Sequence, residues 1–172
     1  MKLAVQKIIY GLNFWPYSMF FFNISAYPGY AIFPTQTIAD LVLISASEVT
    51  SRAYYSTAAL DGESNLKEAI SLKKTSKFSS PDEITQIRCY CEVQAPNPEL
   101  SRFAGRAVFN YGVGGENEEI FPITPDQLLL RGSILRNTEW VYGLAVYTGR
   151  ETKMVQNWKG KRQKVIFRQF AL

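Results

Sequence analysis

The chain has 172 residues, 47% of them hydrophobic and 14% aromatic, with two cysteines and a formal net charge of +4. That length and composition suit one globular domain with a sizeable core, and the mild charge, drawn largely from the C-terminal end, singles out no partner. Histidine is absent, which excludes Ser-His-Asp and Cys-His catalysis, histidine-ligated zinc and a histidine general base from within the chain; chemistry here must run on carboxylates, hydroxyls or backbone amides.

Residues 8–39 carry no charged side chain, and Phe14–Ile24 is crowded with aromatics. Gly11, Asn13, Pro16, Asn23, Pro28 and Gly29 divide this stretch, so no apolar run approaches the roughly 20 residues of a membrane-spanning helix. Lys2 and Lys7 precede an apolar block as in a signal sequence, but the block is broken by proline and no small-residue cleavage site follows. From Ala39 the texture changes to short β-type runs separated by turn residues. Leu41–Ser45 and Ala53–Thr57 read as strands, and Asp61-Gly62 between Leu60 and Glu63 reads as a turn, because Asp bonds its own backbone and Gly accepts positive φ.

Ser80-Pro81-Asp82-Glu83 starts a helix of a turn or two, with Ser80 as N-cap, Pro81 in the first helical position and Glu83 completing a capping box. Ile87–Val93 alternates as a strand and places Cys89 and Cys91 on one face, as two half-buried thiols rather than a zinc-ribbon pair. Pro96-Asn97-Pro98 bends the chain and Phe103–Tyr111 is another strand. Gly112-Val113-Gly114-Gly115 with Glu116–Glu119 reads as a hairpin-like loop; a phosphate cradle would need a following helix and a nearby lysine. Leu128–Leu130, Ser133–Leu135 and Trp140–Tyr147 are three further strand-like runs. Glu151–Asn157 is expected as a helical turn with Thr152 and Lys153 outward, and Lys159–Lys164 as a basic solvated segment.

Ala39–Ser47, Leu60–Lys67, Cys91-Glu92 with Pro96-Asn97, Phe103-Ala104-Gly105 and Leu128–Asn157 occur in the order and spacing that resembles the actuator domain of class-four P-type ATPases, the phospholipid flippases. The most specific piece is Arg131–Glu139 running into Tyr147–Lys153. Ser64, where others of the family carry Thr, looks most like an animal subgroup. The resemblance implies a mostly β, distorted jelly-roll-like actuator domain with one or two short helices over 37–158. It leaves 1–36 as an unmatched aromatic leader, expected to come from an alternative start, an exon-boundary error or a truncated gene model, and 159–172 as a basic linker toward a membrane helix outside this chain. Ile38-Ala39-Asp40 stands where the family has Pro-Ala-Asp, and a strand that precedes it in the family has no match, so the β layer is expected to lack an edge strand.

In such pumps the actuator brings an acidic loop onto an aspartyl-phosphate formed in a separate domain. The family's Asp-Gly-Glu-Thr loop maps onto Asp61, Gly62, Glu63 and Ser64. Glu63 would position the attacking water or take its proton, Gly62 would let the backbone approach an anion, Ser64 would retain a hydroxyl and Asp61 would shape the loop. The phosphorylation motif Asp-Lys-Thr-Gly is not in the sequence, so this chain is expected to be half of an active site and inactive alone. Its implied partners are the phosphorylation and nucleotide-binding domains of the same pump, a phospholipid handled by membrane helices, and an accessory subunit; nucleic acid is not among them. ATP and Mg²⁺ belong to the full-length pump, and no cofactor or metal is expected in this chain. The expected location is the cytosolic face of a membrane, the isolated chain being soluble or peripheral. The alternative is a non-enzymatic β-rich module that binds a membrane surface or another protein.

Overall fold

The computed structural model describes residues 10–14, 17–25, 36–85, 87, 89–111 and 117–158. Among the described residues, eleven strands form three antiparallel sheets: β1 (Tyr10–Phe14), β2 (Tyr17–Ser25), β3 (Asp40–Ala46), β4 (Arg52–Ser56), β5 (Leu66–Ile70), β6 (Cys89–Val93), β7 (Gly105–Tyr111), β8 (Asn117–Ile123), β9 (Leu128–Leu129), β10 (Ile134–Arg136) and β11 (Trp140–Tyr147). Two short helices, α1 (Ala58–Asp61) and α2 (Pro81–Thr85), lie between strands, and residues 153–158 are helical. The mostly β architecture with short helices is as expected. The sheets have the orders β1-β2-β11-β3-β9, β10-β4-β5 and β6-β7-β8.

β3 explains the layering. Its seven residues are all buried, and their side chains alternate between two cores. Val42 and Ile44 pack with Ala107, Phe109 and Ile123 of the β6-β7-β8 sheet, whereas Leu41 and Leu43 pack with Ala53, Tyr55, Ala69 and Leu135 of the β10-β4-β5 sheet. A strand covered on both faces reads as an unbroken apolar run rather than an alternation, which is how Leu41–Ile44 reads.

Several expectations match closely. β11 has the expected bounds, and Ser80 and Glu83 cap α2 reciprocally: the Glu83 amide donates to Ser80 Oγ at 3.3 Å and the Ser80 amide to Glu83 Oε2 at 3.0 Å. Other expectations need correction. Asn117–Glu119, assigned to a loop, begins β8, which pairs with β7 from Tyr111↔Asn117 to Gly105↔Ile123. β8 is an edge strand, where Pro122 and outward acidic residues are tolerated, and those same residues disguise it. The edge strand expected to be missing is supplied by the leader: β2 pairs with β11 from Trp140↔Ser25 to Leu144↔Phe21. The Gly112–Gly115 loop and the basic Lys159–Lys164 segment lie outside the described residues.

Candidate functional site

β4 and β5 pair antiparallel, and the chain between them carries the acidic loop. It is not a tight Asp-Gly turn. α1 makes a single helical turn in which the Gly62 amide donates to the Ala58 carbonyl at 3.1 Å. Gly62 closes it in the left-handed region at φ +79°, a conformation glycine adopts without the Cβ penalty other residues meet.

Asp61, the last residue of α1, is a hub. Its Oδ1 accepts the Glu63 amide at 2.9 Å. Its Oδ2 accepts Thr57 Oγ1 at 2.9 Å and Lys67 Nζ at 2.8 Å. Desolvation would raise the Asp61 carboxyl, but the bonds from Lys67, the Glu63 amide and Thr57 outweigh it and hold the group below the usual carboxylate range. Glu63 projects further: 60% of its side chain is exposed, and Oε2 sits 2.7 Å from the same Lys67 Nζ. Desolvation would lower the Lys67 ammonium, but its bonds to Asp61 and Glu63 win and raise it above the ordinary lysine value. Ser64 is exposed beside them. The four residues singled out by sequence therefore form one loop, with Asp61 turned to the backbone and Glu63 turned outward.

What holds the loop comes from distant sequence. A Cβ on Gly132, itself at φ +91°, would lie 2.6 Å from Leu60 Cδ2, so the Arg131-Gly132 turn is the seat on which α1 rests. Thr37 and Asp40 supply three of the bonds that fasten that turn. The Gly132 amide donates to the Thr37 carbonyl at 2.9 Å, Thr37 Oγ1 donates to the Leu130 carbonyl, and the Arg131 amide donates to Asp40 Oδ1 at 2.7 Å. The other Asp40 oxygen accepts the Lys153 amide at 2.7 Å. Asp40 is fully buried, and desolvation raises its carboxyl above the usual value against the pull of these two amides and of the Lys153 and Arg131 charges.

Thr152 and Lys153 point inward, contrary to expectation, and both are 0% exposed. Lys153 Nζ donates to Asn97 Oδ1 at 3.0 Å and to the Glu99 and Arg102 carbonyls at 2.9 and 2.7 Å, beside the rings of Phe103 and Tyr147. Three acceptors and two ring faces replace its hydration; burial still pulls the ammonium below its ordinary value, opposed by the Asp40 and Glu99 charges. Cys89 and Cys91 pack on the same core, as their spacing implied, and burial pushes both thiols up to about 12, which removes them as nucleophiles. Sequence reasoning assigned no role to Thr57, Lys67 or Gly132. The four-residue spacing of Glu63 and Lys67 marks neighbours only on a helix, whereas Lys67 stands in β5.

A loop of this kind offers one outward carboxylate, Glu63, and one partly exposed carboxylate, Asp61, both held by the same ammonium on a backbone pinned to a sheet. It can accept a proton from water or orient it, and the substrate must come to it.

No family model matches the chain. Over 126 residues, 73% of the chain and 11% of the relative, it is 39% identical to phospholipid-transporting ATPase 11C of Mus musculus. Over 125 residues, again 73% and 11%, it is 40% identical to phospholipid-transporting ATPase IG of Homo sapiens. A phospholipid-transporting ATPase of Schizosaccharomyces pombe is 42% identical over 119 residues, 69% of the chain and 9% of the relative. The chain spans about a tenth of the length of the curated relatives it matches.

Proposed function

Since this chain is, over about 70% of its length, a homologue of the phospholipid-transporting, class-four P-type ATPases, we propose that residues 37–158 are the actuator domain of such a pump and that Glu63 serves its dephosphorylation. The observation that carries this reading is the Glu63 carboxylate, exposed at the tip of a loop whose backbone is fixed by Asp61 and Gly62. In the proposed step a water attacks the phosphorus of an aspartyl-phosphate carried by a neighbouring domain. The bond between phosphorus and the acyl oxygen breaks, the aspartate leaves as a carboxylate, and Glu63 takes the proton of the attacking water. Asp61 holds the loop, Gly62 lets its backbone come close to the phosphoryl oxygens, and Ser64 offers a hydroxyl at its rim.

A rigid β body carrying one placed carboxylate suits delivery by rigid-body rotation. The phosphorylation and nucleotide-binding domains, with ATP and Mg²⁺, and the helices that handle phospholipid would belong to the rest of the pump, the domain standing on the cytosolic face of the membrane. Among the described residues no helix is long and apolar enough to cross a membrane.

The test uses a chimera in which residues 37–158 replace the matching segment of the Mus musculus relative. Glu63→Gln should trap phosphoenzyme, slowing its decay by about a hundredfold or more, the usual contribution of a general base; normal decay would remove Glu63 from the role. The 172-residue chain alone should neither form phosphoenzyme nor hydrolyse ATP, and vanadate-sensitive turnover by it would overturn the half-site reading.

A further inference from the structure

We propose that Lys67 is a positioning residue for this dephosphorylation: its ammonium, anchored on Asp61, holds the Glu63 carboxylate in place and offsets the loop's negative charge as a phosphoryl group approaches. The inference rests on the actuator reading above. Its basis is geometric. Lys67 Nζ lies 2.8 Å from Asp61 Oδ2 and 2.7 Å from Glu63 Oε2, so one ammonium joins the residue that shapes the loop to the residue at its tip. Asp61 cannot drift, because Thr57 Oγ1 and the Glu63 amide hold its two oxygens. The Lys67 backbone is held as well, as the second residue of β5 opposite Tyr55 in the ladder, and its ammonium is tethered by the Asp61 carboxylate. Glu63 is the freest of the three, and Lys67 is the side chain that ties it to the sheet.

The charge count gives the second reason. Asp61 and Glu63 together present two negative charges, and Lys67 reduces the cluster to one. A phosphoryl group carries negative charge of its own, so a loop without Lys67 would repel the group it must reach more strongly. A lysine between two partly exposed carboxylates adds little to folding stability, and its contribution is therefore expected in the rate.

The chimera described above supplies the test, with phosphoenzyme decay as the readout. Lys67→Met keeps the aliphatic stem and removes the charge; decay should slow about tenfold, the scale of a modest misplacement of a catalytic group. Lys67→Arg should restore most of the rate. In a Glu63→Gln background, Lys67→Met should slow decay clearly less than in the wild type, because the positioning role is already gone and only the charge offset remains to be lost. The thermal midpoint of the 172-residue chain should be nearly unchanged by Lys67→Met. Wild-type or faster decay in Lys67→Met, or equal slowing in both backgrounds, overturns the role of Lys67 while leaving Glu63 in its own. Unchanged decay in Glu63→Gln overturns both.

Discussion

Two glycines with similar backbone angles do different work around the acidic loop. Gly62 has φ +79° and open space where a Cβ would go, whereas Gly132 has φ +91° and Leu60 Cδ2 2.6 Å from that position. Gly62→Ala should therefore cost only the left-handed penalty, about 1–2 kcal/mol, and Gly62→Asn less, since asparagine tolerates that region. Gly132→Ala meets the same strain, and its Cβ also pushes the end of the Leu60 side chain, which can swing aside, so it should cost slightly more, about 1–3 kcal/mol; denaturant unfolding of the three variants checks the order. Asp61 adds a pH dependence. Its folded value lies below its unfolded value, so its contribution is present above the unfolded value and is lost as pH falls through the folded one. The loop should loosen below about pH 4, and hydrogen exchange at the Glu63 amide should show this in the wild type and not in Asp61→Asn. Asp61-Gly62-Glu63-Ser64 was legible as a loop because turn chemistry is local. The partners of that loop were not, since Gly132 lies 72 residues from Leu60 along the chain.

At the scale of elements, Asp40 and Lys153 join the start of β3 to the helical residues 153–158, across 113 positions of sequence. Asp40→Ala leaves the half-buried Arg131 amide and the buried Lys153 amide without their acceptor and should destabilise the domain by about 2–5 kcal/mol, measured by urea unfolding. Lys153→Met instead releases Asn97 and the Glu99 and Arg102 carbonyls. It should loosen the 96–102 segment and make it the first site of limited proteolysis, with the strands still protected. A lysine beside a predicted helical turn reads as solvated, and nothing local marks Lys153 as an exception; its acceptors come from a loop 51–56 residues away. β8 was missed for the complementary reason, its alternation being masked by Glu118, Glu119 and Pro122, which an edge strand tolerates.

In the whole molecule, one sheet is packed on both faces by two smaller ones, and the loop with Glu63 stands on the β4-β5 side. β2 closes the edge of β11. A chain lacking residues 1–25 should expose the polar backbone of β11 and self-associate with rising concentration, as light scattering would show; a monomer of unchanged thermal midpoint would mean that β2 is dispensable. By itself the sequence determined the β class, the bounds of β11, the capped α2 and the acidic loop, because each rests on side-chain periodicity or on contacts within a few residues. It also excluded histidine chemistry outright. Only the tertiary structure decided that Asp40 and Lys153 turn inward, that Gly132 seats Leu60, and that β2 covers β11. These depend on which distant segments are brought together as the sheets pack, and no local pattern records that choice.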